Sequence, residues 1–596
     1  MSRKHINHRW NRRKYSVFAV MCAAAMVMSA CGQTGRVIDS TDSTIDVAVE
    51  NVSIQSGSSN VDSDSTVEGA SSAVQSLDVS DMFTDRDKEV GYDENEAVQI
   101  TLNGTSATCE DASVQIDGTT VTITDEGTYV LSGTLEDGMV IVDADDADKL
   151  QIVLNGVTIT NSTSAALYIK QADKVFVTTA SGTVNTLSST GEFVAIDDNN
   201  IDAAIFSKED LTLNGLGTLI VQADYGHGIV SKDDLVITSG TYEITSGDHG
   251  LAGKDSVRIA SGDIQITCAE DGIHSGNDDD ETKGFTYIAG GNIAITAGDD
   301  GIHSDTQVVI TGGNIDIVKS YEGIEGKVIE IAGGKTSVVA SDDGLNAASG
   351  SSTETFLDRG MMDEAEEGVY ILISGGELAV NANGDGLDSN GDFYVTGGET
   401  YVSGPTNGGN GALDYAGEAR ITGGILVAAG YSGMEQNMGS TSTQGSILMN
   451  TDSVQEAGSS IELKDSAGNV LVSYNPEKNY NSVVVSTPDI VVGETYTLDI
   501  GTESNEITMS EILYGEGTGF GGFGGGFGGR PGFGGDMEFD EKFEFDENED
   551  GFGRRGRGFG KGMKEDGFNG ERPEMPEGDF DGGFPKINFD DNRTWD

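Results

Sequence analysis

The sequence predicts an all-β chain whose central body is a right-handed parallel β-helix, with three short strands in each coil of roughly 22 residues. Three observations lead there. Only 36% of the 596 residues are hydrophobic while 85 are glycine, a balance that favours many short strands and tight turns over helices. A turn glycine recurs at Gly240, Gly262, Gly291, Gly313, Gly334, Gly376, Gly398 and Gly424, within the period range of stacked repeats. A second glycine column runs through Gly228, Gly250, Gly272, Gly301, Gly323, Gly344 and Gly386 and continues with Ala412 and Gly433 in the same slot. Each unit holds three short strand-like segments, as in Ile302-His303-Ser304, Val308-Val309-Ile310 and Ile315-Asp316-Ile317. No helical crossover fits between them, so the coils stack and pair their backbones with the coils above and below.

The elements follow in chain order. Residues 1–31 read as a secretion signal: a basic run (Arg3, Lys4, Arg9, Arg12, Arg13, Lys14), an apolar stretch from Val17 to Met28, then Met28-Ser29-Ala30-Cys31-Gly32. The apolar run falls short of the ~20 residues that span a bilayer. Small residues ahead of a cysteine resemble the lipobox of bacterial lipoproteins, which implies lipidation at Cys31 and anchoring to the outer face of the cell membrane or cell surface. Residues 32–90, rich in Ser, Asp, Val and Thr, suit a disordered tether. Residues 91–200 hold short strands that fit either first coils or a separate cap, residues 201–440 the repeats, and residues 441–514 a C-terminal β cap. Residues 515–596 alternate Gly-Phe runs with acidic blocks and read as a disordered tail. Two longer units, around Asn277 to Lys283 and Ser351 to Gly368, place their insertions at one corner of the coil.

A formal charge of −66 excludes nucleic acid as a partner and favours divalent cations. Besides Cys31 the mature chain keeps only Cys109 and Cys268, so no disulfide framework is predicted.

The slot just before the coil glycine holds Asp271, Asp300, Glu322, Asp343 and Asp385, and the slot before that adds Glu270, Asp299 and Asp342. Stacked coils would set acid on acid, and two carboxylates ~4.8 Å apart repel by roughly 3 kcal/mol at an effective dielectric near 20. Either raised pKa values or cations must answer that repulsion. Calcium, which accepts six to eight oxygens in loose geometry, is the expected cofactor. Asp-Gly also makes good turns without any ion, Asp bonding nearby backbone and Gly taking positive φ. A second acidic column two residues past the glycine, with Glu325, Asp388, Asp414 and Glu435, is better explained by calcium. In that column His274 and His303 stand one coil apart and suit either a transition metal or a plain ladder facing water, while His227 and His249 occupy the acidic slot of earlier coils. Lys208, Lys232, Lys254 and Lys327 follow the corner four residues on. Beside calcium-filled carboxylates they would suit a long polyanion such as a uronic-acid glycan, unless they pair with neighbouring acids such as Glu209, Asp210, Asp233, Asp234 and Asp255.

The run Val153-Leu154-Asn155-Gly156-Val157-Thr158-Ile159, the segment Ser164-Ala165-Ala166-Leu167-Tyr168-Ile169 and the repeated Asp-Gly-Ile-His and Asp-Gly-Leu-Asp coils resemble the carbohydrate-binding parallel β-helix proteins of bacterial cell surfaces, described as binding cellulose and polygalacturonate and as calcium-containing. The likeness spans roughly residues 91–440. It implies a right-handed β-helix, surface glycan binding and calcium at acidic corners, matching Asp271, Asp300, Asp343, Asp385 and Asp388; a monomer is expected. The only tryptophans, Trp10 and Trp595, lie in the signal and the tail, so an acidic polysaccharide fits better than crystalline cellulose, with Tyr225, Tyr321 and Tyr431 to stack on sugars. The fold also resembles pectate lyases, in which a basic residue beside calcium removes a proton. Lys254, Lys327 and Arg420 would be candidates for it, though none belongs to a lyase motif. Binding without catalysis is therefore the leading expectation, with a lyase or a structural adhesin as alternatives.

Overall fold

The computed structural model describes residues 77–277, 279–349 and 365–517. The predicted signal with Cys31, most of the predicted tether and the Gly-Phe tail lie outside the described residues. Every regular element among the described residues is a β-strand.

From Leu167 to Tyr415 each strand pairs in parallel with the strand three further on, or two further on where one long strand serves two ladders, so three ladders run along the body. The first ladder follows the Asp-Gly corner and includes Leu251–Gly253, Ile273–Ser275, Leu345–Ala347 and Leu387–Ser389. The second includes Asp210–Gly215, Ser256–Ile259 and Tyr370–Ile373, and the third includes Thr241–Ser246, Asp263–Cys268 and Glu377–Ala382. Two strands, Ile302–Ile310 and Ile324–Ile331, run through the corner and serve the first and second ladders together. The result is a β-helix-like stack of coils.

Period-two alternation explains the packing. In Asp263–Cys268 the side chains of Ile264, Ile266 and Cys268 turn inward while Asp263, Gln265 and Thr267 face out. Inward Ile, Leu and Val from successive coils merge into one apolar column, running from Ile100 to Val484. The two glycine columns serve different ends. Gly240, Gly262, Gly291, Gly313, Gly334, Gly376, Gly398 and Gly424 all turn at positive φ. The corner glycines Gly228 to Gly386 are not among the positive-φ residues. A Cβ on Gly323 would stand 2.2 Å from the Gly344 carbonyl oxygen, and the others meet the next coil as closely. The turn explanation of the Asp-Gly corner is thus corrected: glycine is needed there for close coil contact, not for a left-handed backbone.

Residues 91–200 join the same stack. Gly127–Leu135 pairs in parallel with Lys149–Asn161, which pairs with Lys174–Thr179 and Val184–Ser189. Two antiparallel pairings, Val98–Gly104 with Ala107–Thr108 and Val114–Asp117 with Thr120–Ile123, close the first end. At the other end Ile425–Gly430 meets Tyr480–Ser486 antiparallel, and a separate four-stranded antiparallel sheet carries its own apolar core. The insertion around Asn277 to Lys283 enters between the first and second ladders, as the sequence predicts, and the strands flanking the second belong to the same two ladders, though most of that insertion lies outside the described residues.

The last part of the predicted tether, residues 77–90, is ordered against the body. Residues 77–90 form a strap along the outer face of the second ladder. Met82 and Phe83 pack with Tyr287 and Val309, and the Arg86 guanidinium lies 4.6 Å over the Phe176 ring. Asp87 is 2% exposed, its Oδ1 2.9 Å from Lys174 Nζ and accepting from Thr212 Oγ1 at 2.7 Å. The composition of 77–90 is polar, and its hydrogen-bond partners on the ladder lie 65 to 176 residues away along the chain, which hides the contact from local reading.

Candidate functional site

The corner before the first ladder brings one residue from each coil into a column. From the first coil to the last it reads His227, His249, Asp271, Asp300, Glu322, Asp343, Asp385 and Gly411, because Gly228 to Gly386 each donate to the carbonyl of the next coil's residue in that slot. The slot has a structural duty. His227 Nδ1 accepts the backbone N–H of His249, and His249 Nδ1 accepts that of Asp271. Asp271 Oδ1 accepts from Asp300, Asp300 Oδ1 from Glu322, Asp343 Oδ1 from Asp385 and Asp385 Oδ1 from Gly411. A short acceptor is needed in the slot to satisfy an otherwise orphaned amide. Asp and neutral His both meet that need, and a carboxylate keeps its second oxygen for other use.

The second column, two residues past the glycine, aligns His274, His303, Glu325, Asn346, Asp388 and Asp414 in register. The two columns give the corner two chemically different halves. In the first, four imidazoles stack: His227 on His249 at 5.0 Å, His249 on His274 at 4.3 Å and His274 on His303 at 5.1 Å between centroids, within 11° of parallel. Carboxylates flank them. His274 Nδ1 lies 2.8 Å from Asp271 Oδ2, and His303 Nδ1 lies 2.8 Å from Glu325 Oε2 and 3.3 Å from Asp300 Oδ2. Burial depresses His227, and burial with the neighbouring His274 brings His249 down to about 4, so both are neutral near pH 7. Burial would depress His303 too, but its bonds to Asp300, Asp305 and Glu325 raise it well above 6.5. Burial opposes ionisation of Asp271, yet the His274 bond and the His249 charge hold it below the usual carboxylate range.

In the second half carboxylates face carboxylates. Oxygens of Asp343, Asp385 and Asp388 lie within 4.8 Å of one another. Burial, with Asp343 and Asp414 adding like charge, pushes Asp385 up to about 7 against the Gly411 amide bond. Burial and Asp385 push Asp388 well above the usual range. Glu322 rises to about 8 through burial and Glu325, although Asn346 Nδ2 donates to it at 2.8 Å. Two further observations fit a hard cation. A Cβ on Gly384 would stand 2.2 Å from Asp343 Oδ1 and 2.5 Å from Asp342 Oδ1, so the glycine opens a cradle in which both carboxylates close on the next coil. The buried Oε1 of Gln436 has no partner, while its Nε2 donates to Asp414 Oδ1 at 2.7 Å. An all-oxygen donor set of carboxylates suits calcium.

The predicted residues therefore divide. Asp343, Asp385 and Asp388 come together, with Asp342 and Asp414 beside them. Asp271, Asp300 and Glu325 instead engage imidazoles. Asp299 is exposed on the outer edge. Glu435 leaves the column for the C-terminal cap, where Asn450 Nδ2 donates to it at 2.7 Å. Lys232 Nζ lies 3.8 Å from Asp202 Oδ2 and Lys254 Nζ 3.0 Å from Asp279 Oδ2, so these two pair with acids of other coils rather than with their sequence neighbours. Lys327 stands beside Gly368, at the end of the second insertion. Tyr321 is 47% exposed at the corner, its backbone between those of Asp299 and Asp342, and Tyr225 is 49% exposed near the histidine half. Tyr431 is half-buried at the junction with the cap, donating its N–H to Pro405. Sequence reading missed Gly384, Gln436 and Asp305. The first is an ordinary Gly-Asp-Gly glycine in sequence, and the others gain meaning only from contacts across coils.

Residues 117–362 match the family of carbohydrate-binding domain-containing proteins. A protein of that description from Acetivibrio thermocellus is 41% identical over 126 residues, covering 21% of this chain and 44% of the relative. The chain thus spans under half the length of that relative. The solved polysaccharide lyase-like protein from C. thermocellum, a gadolinium derivative, is 33% identical over 42% of this chain and 97% of that chain, at a TM-score of 0.36.

Proposed function

We propose that this chain is an exported lipoprotein, anchored at Cys31, that binds acidic polysaccharide such as polygalacturonate through calcium at the acidic corner of a right-handed β-helix, without changing the glycan. The observation that carries the reading is the group Asp343, Asp385 and Asp388, three carboxylates from two successive coils within 4.8 Å. The carbohydrate-binding match over residues 117–362 supports a polysaccharide partner. Asp343, Asp385 and Asp388 would hold the ion, with Asp342, Asp414 and Gln436 beside them, and bound calcium would supply positive charge and open coordination positions to uronate oxygens. Tyr321, exposed on the same corner, offers an apolar face for a sugar ring. The earlier carboxylates Asp271, Asp300 and Glu325 serve the imidazoles, so the glycan track runs along the second half of the column.

The test is retention of the full chain on polygalacturonate, cellulose and neutral glycans, with calcium and with EDTA, while the supernatant is followed for unsaturated uronide absorbance. Calcium-dependent retention on polygalacturonate with no absorbance is the expected result. Absorbance would make the protein a lyase, and absence of both retention and absorbance would leave a structural adhesin.

A further inference from the structure

The four stacked imidazoles are not equivalent, and their hydrogen bonds say which of them can bind a metal. His227 and His249 each use Nδ1 to accept a backbone N–H. In the neutral ring the proton then sits on Nε2, which faces Asp248 at 3.7 Å and 3.9 Å respectively. Neither ring has a free lone pair. At the next step the arrangement reverses. His274 and His303 stand in the second column, where Nδ1 meets carboxylates at 2.8 Å and must donate. That leaves Nε2 of both as the ligand position, with a carboxylate holding the ring from behind; at His303 an incoming metal takes the place of the proton that Nε2 shares with Asp305.

His303 Nε2 looks onto Asp305, and His274 Nε2 borders the same space at Gly276. Asp305 Oδ1 is 3.6 Å from His303 Nε2. A Cβ placed on Gly276 would stand 3.0 Å from Asp305 Oδ2 and 3.1 Å from His274 Nε2. The missing side chain of Gly276 therefore opens a space bordered by an imidazole nitrogen and a carboxylate oxygen, with the second imidazole on the other oxygen of the same carboxylate. Gly276 is not among the positive-φ glycines, so its backbone alone does not demand glycine. We propose that His274, His303 and Asp305 form a binding site for a borderline divalent transition metal, zinc or its neighbours, separate from the all-oxygen group at Asp343, Asp385 and Asp388. Two nitrogens and one carboxylate select such ions over calcium. His303 Nε2 and Asp305 Oδ1, 3.6 Å apart, already stand near the spacing of two ligands on one ion, and the His274 ring has to close on them on binding. Three protein ligands leave at least one position open to solvent or to a ligand atom.

The test uses the full chain freed of metal by chelator and then kept in excess calcium, which occupies hard oxygen sites. Cobalt(II) is added and followed by its visible absorption, and zinc is added to displace it. One equivalent of cobalt with a nitrogen-containing spectrum, displaced by zinc, is expected. H274A, H303A and D305N should each weaken uptake by about tenfold or more. G276A, which removes no donor and fills the space, should do the same while keeping the wild-type melting temperature. H227A should bind as wild type. Failure of the unaltered chain to take up cobalt would overturn the site, as would full uptake by G276A and H303A or equal loss in H227A. The polygalacturonate experiment in calcium and EDTA reads the acidic half independently, so either result can fail alone.

Discussion

Asp87 in the strap and Asp385 in the corner column are both carboxylates withdrawn from water, yet burial is outweighed at the first and prevails at the second. At Asp87, burial would raise the pKa, but Thr212, Lys174 and Thr84 all bond to the carboxylate and bring it down to about 2. At Asp385 burial is answered by one backbone amide, like charges gather around it, and the pKa climbs to about 7. The chain is therefore able to satisfy a buried carboxylate with its own side chains, and does so where the contact is structural. At the second half of the corner it stacks acids instead. A fold that places a lysine and two hydroxyls around Asp87, and gathers like charge around Asp385 and Asp388, suits an external cation at the latter pair. The histidine half stands between these cases: imidazoles hold Asp271 and Glu325 down, while burial and the neighbouring Asp271 push Asp300 up to about 8 against its His303 bond.

The comparison is most exposed to a change at Lys174. In K174A the Asp87 carboxylate keeps its hydroxyl partners but loses its counter-charge while still buried, and breaking a buried pair in this way costs about 3–5 kcal/mol. Chemical denaturation should show a loss of that order, and amides of the second ladder beneath residues 82–89 should exchange faster. A loss below about 1 kcal/mol would mean that the strap does not hold its carboxylate as described. The double variant D385N/D388N tests the other side. Without calcium it should melt at or above the wild-type temperature, since it removes like-charge crowding and no counter-charge. With calcium at about a hundred times its Kd, the wild type should gain about 2.7 kcal/mol, and the variant should gain little of it. Equal calcium stabilisation in both would move the ion elsewhere.

Much of this arrangement is legible in the sequence. The glycine columns give the coil, and the slots before and after the corner glycine give both acid columns, because coil stacking preserves register along the chain. What escapes is anything that depends on which atom of a side chain faces which neighbour. The sequence shows His227 and His249 only as residues in an acidic slot; their role as acceptors for the next coil's amide needs the backbone. The division of Asp271 from Asp385 likewise turns on an imidazole two residues past one glycine, at His274, where the other has Asp388. The strap at residues 77–90 reads as tether because its partners, Lys174, Thr212 and Arg258, are far away in the chain.

The smallest effect expected concerns acid. Asp87 has a folded pKa of about 2 against an ordinary value of 3.8. A depressed carboxylate contributes stability that is fully present above its unfolded pKa and lost as pH falls through the folded one. The window is therefore about pH 4 down to about pH 2, and the amount is roughly 2 kcal/mol, at about 1.4 kcal/mol per pKa unit. In D87N this increment is absent at every pH, because the amide does not titrate and Lys174 is left without its carboxylate. Melting curves of the two proteins, recorded in EDTA across that window, should converge as pH falls, since every other carboxylate titrates alike in both. Curves that stay parallel would show that Asp87 has no depressed pKa, and the contrast between a carboxylate the chain satisfies and one it leaves for a cation would lose its first term.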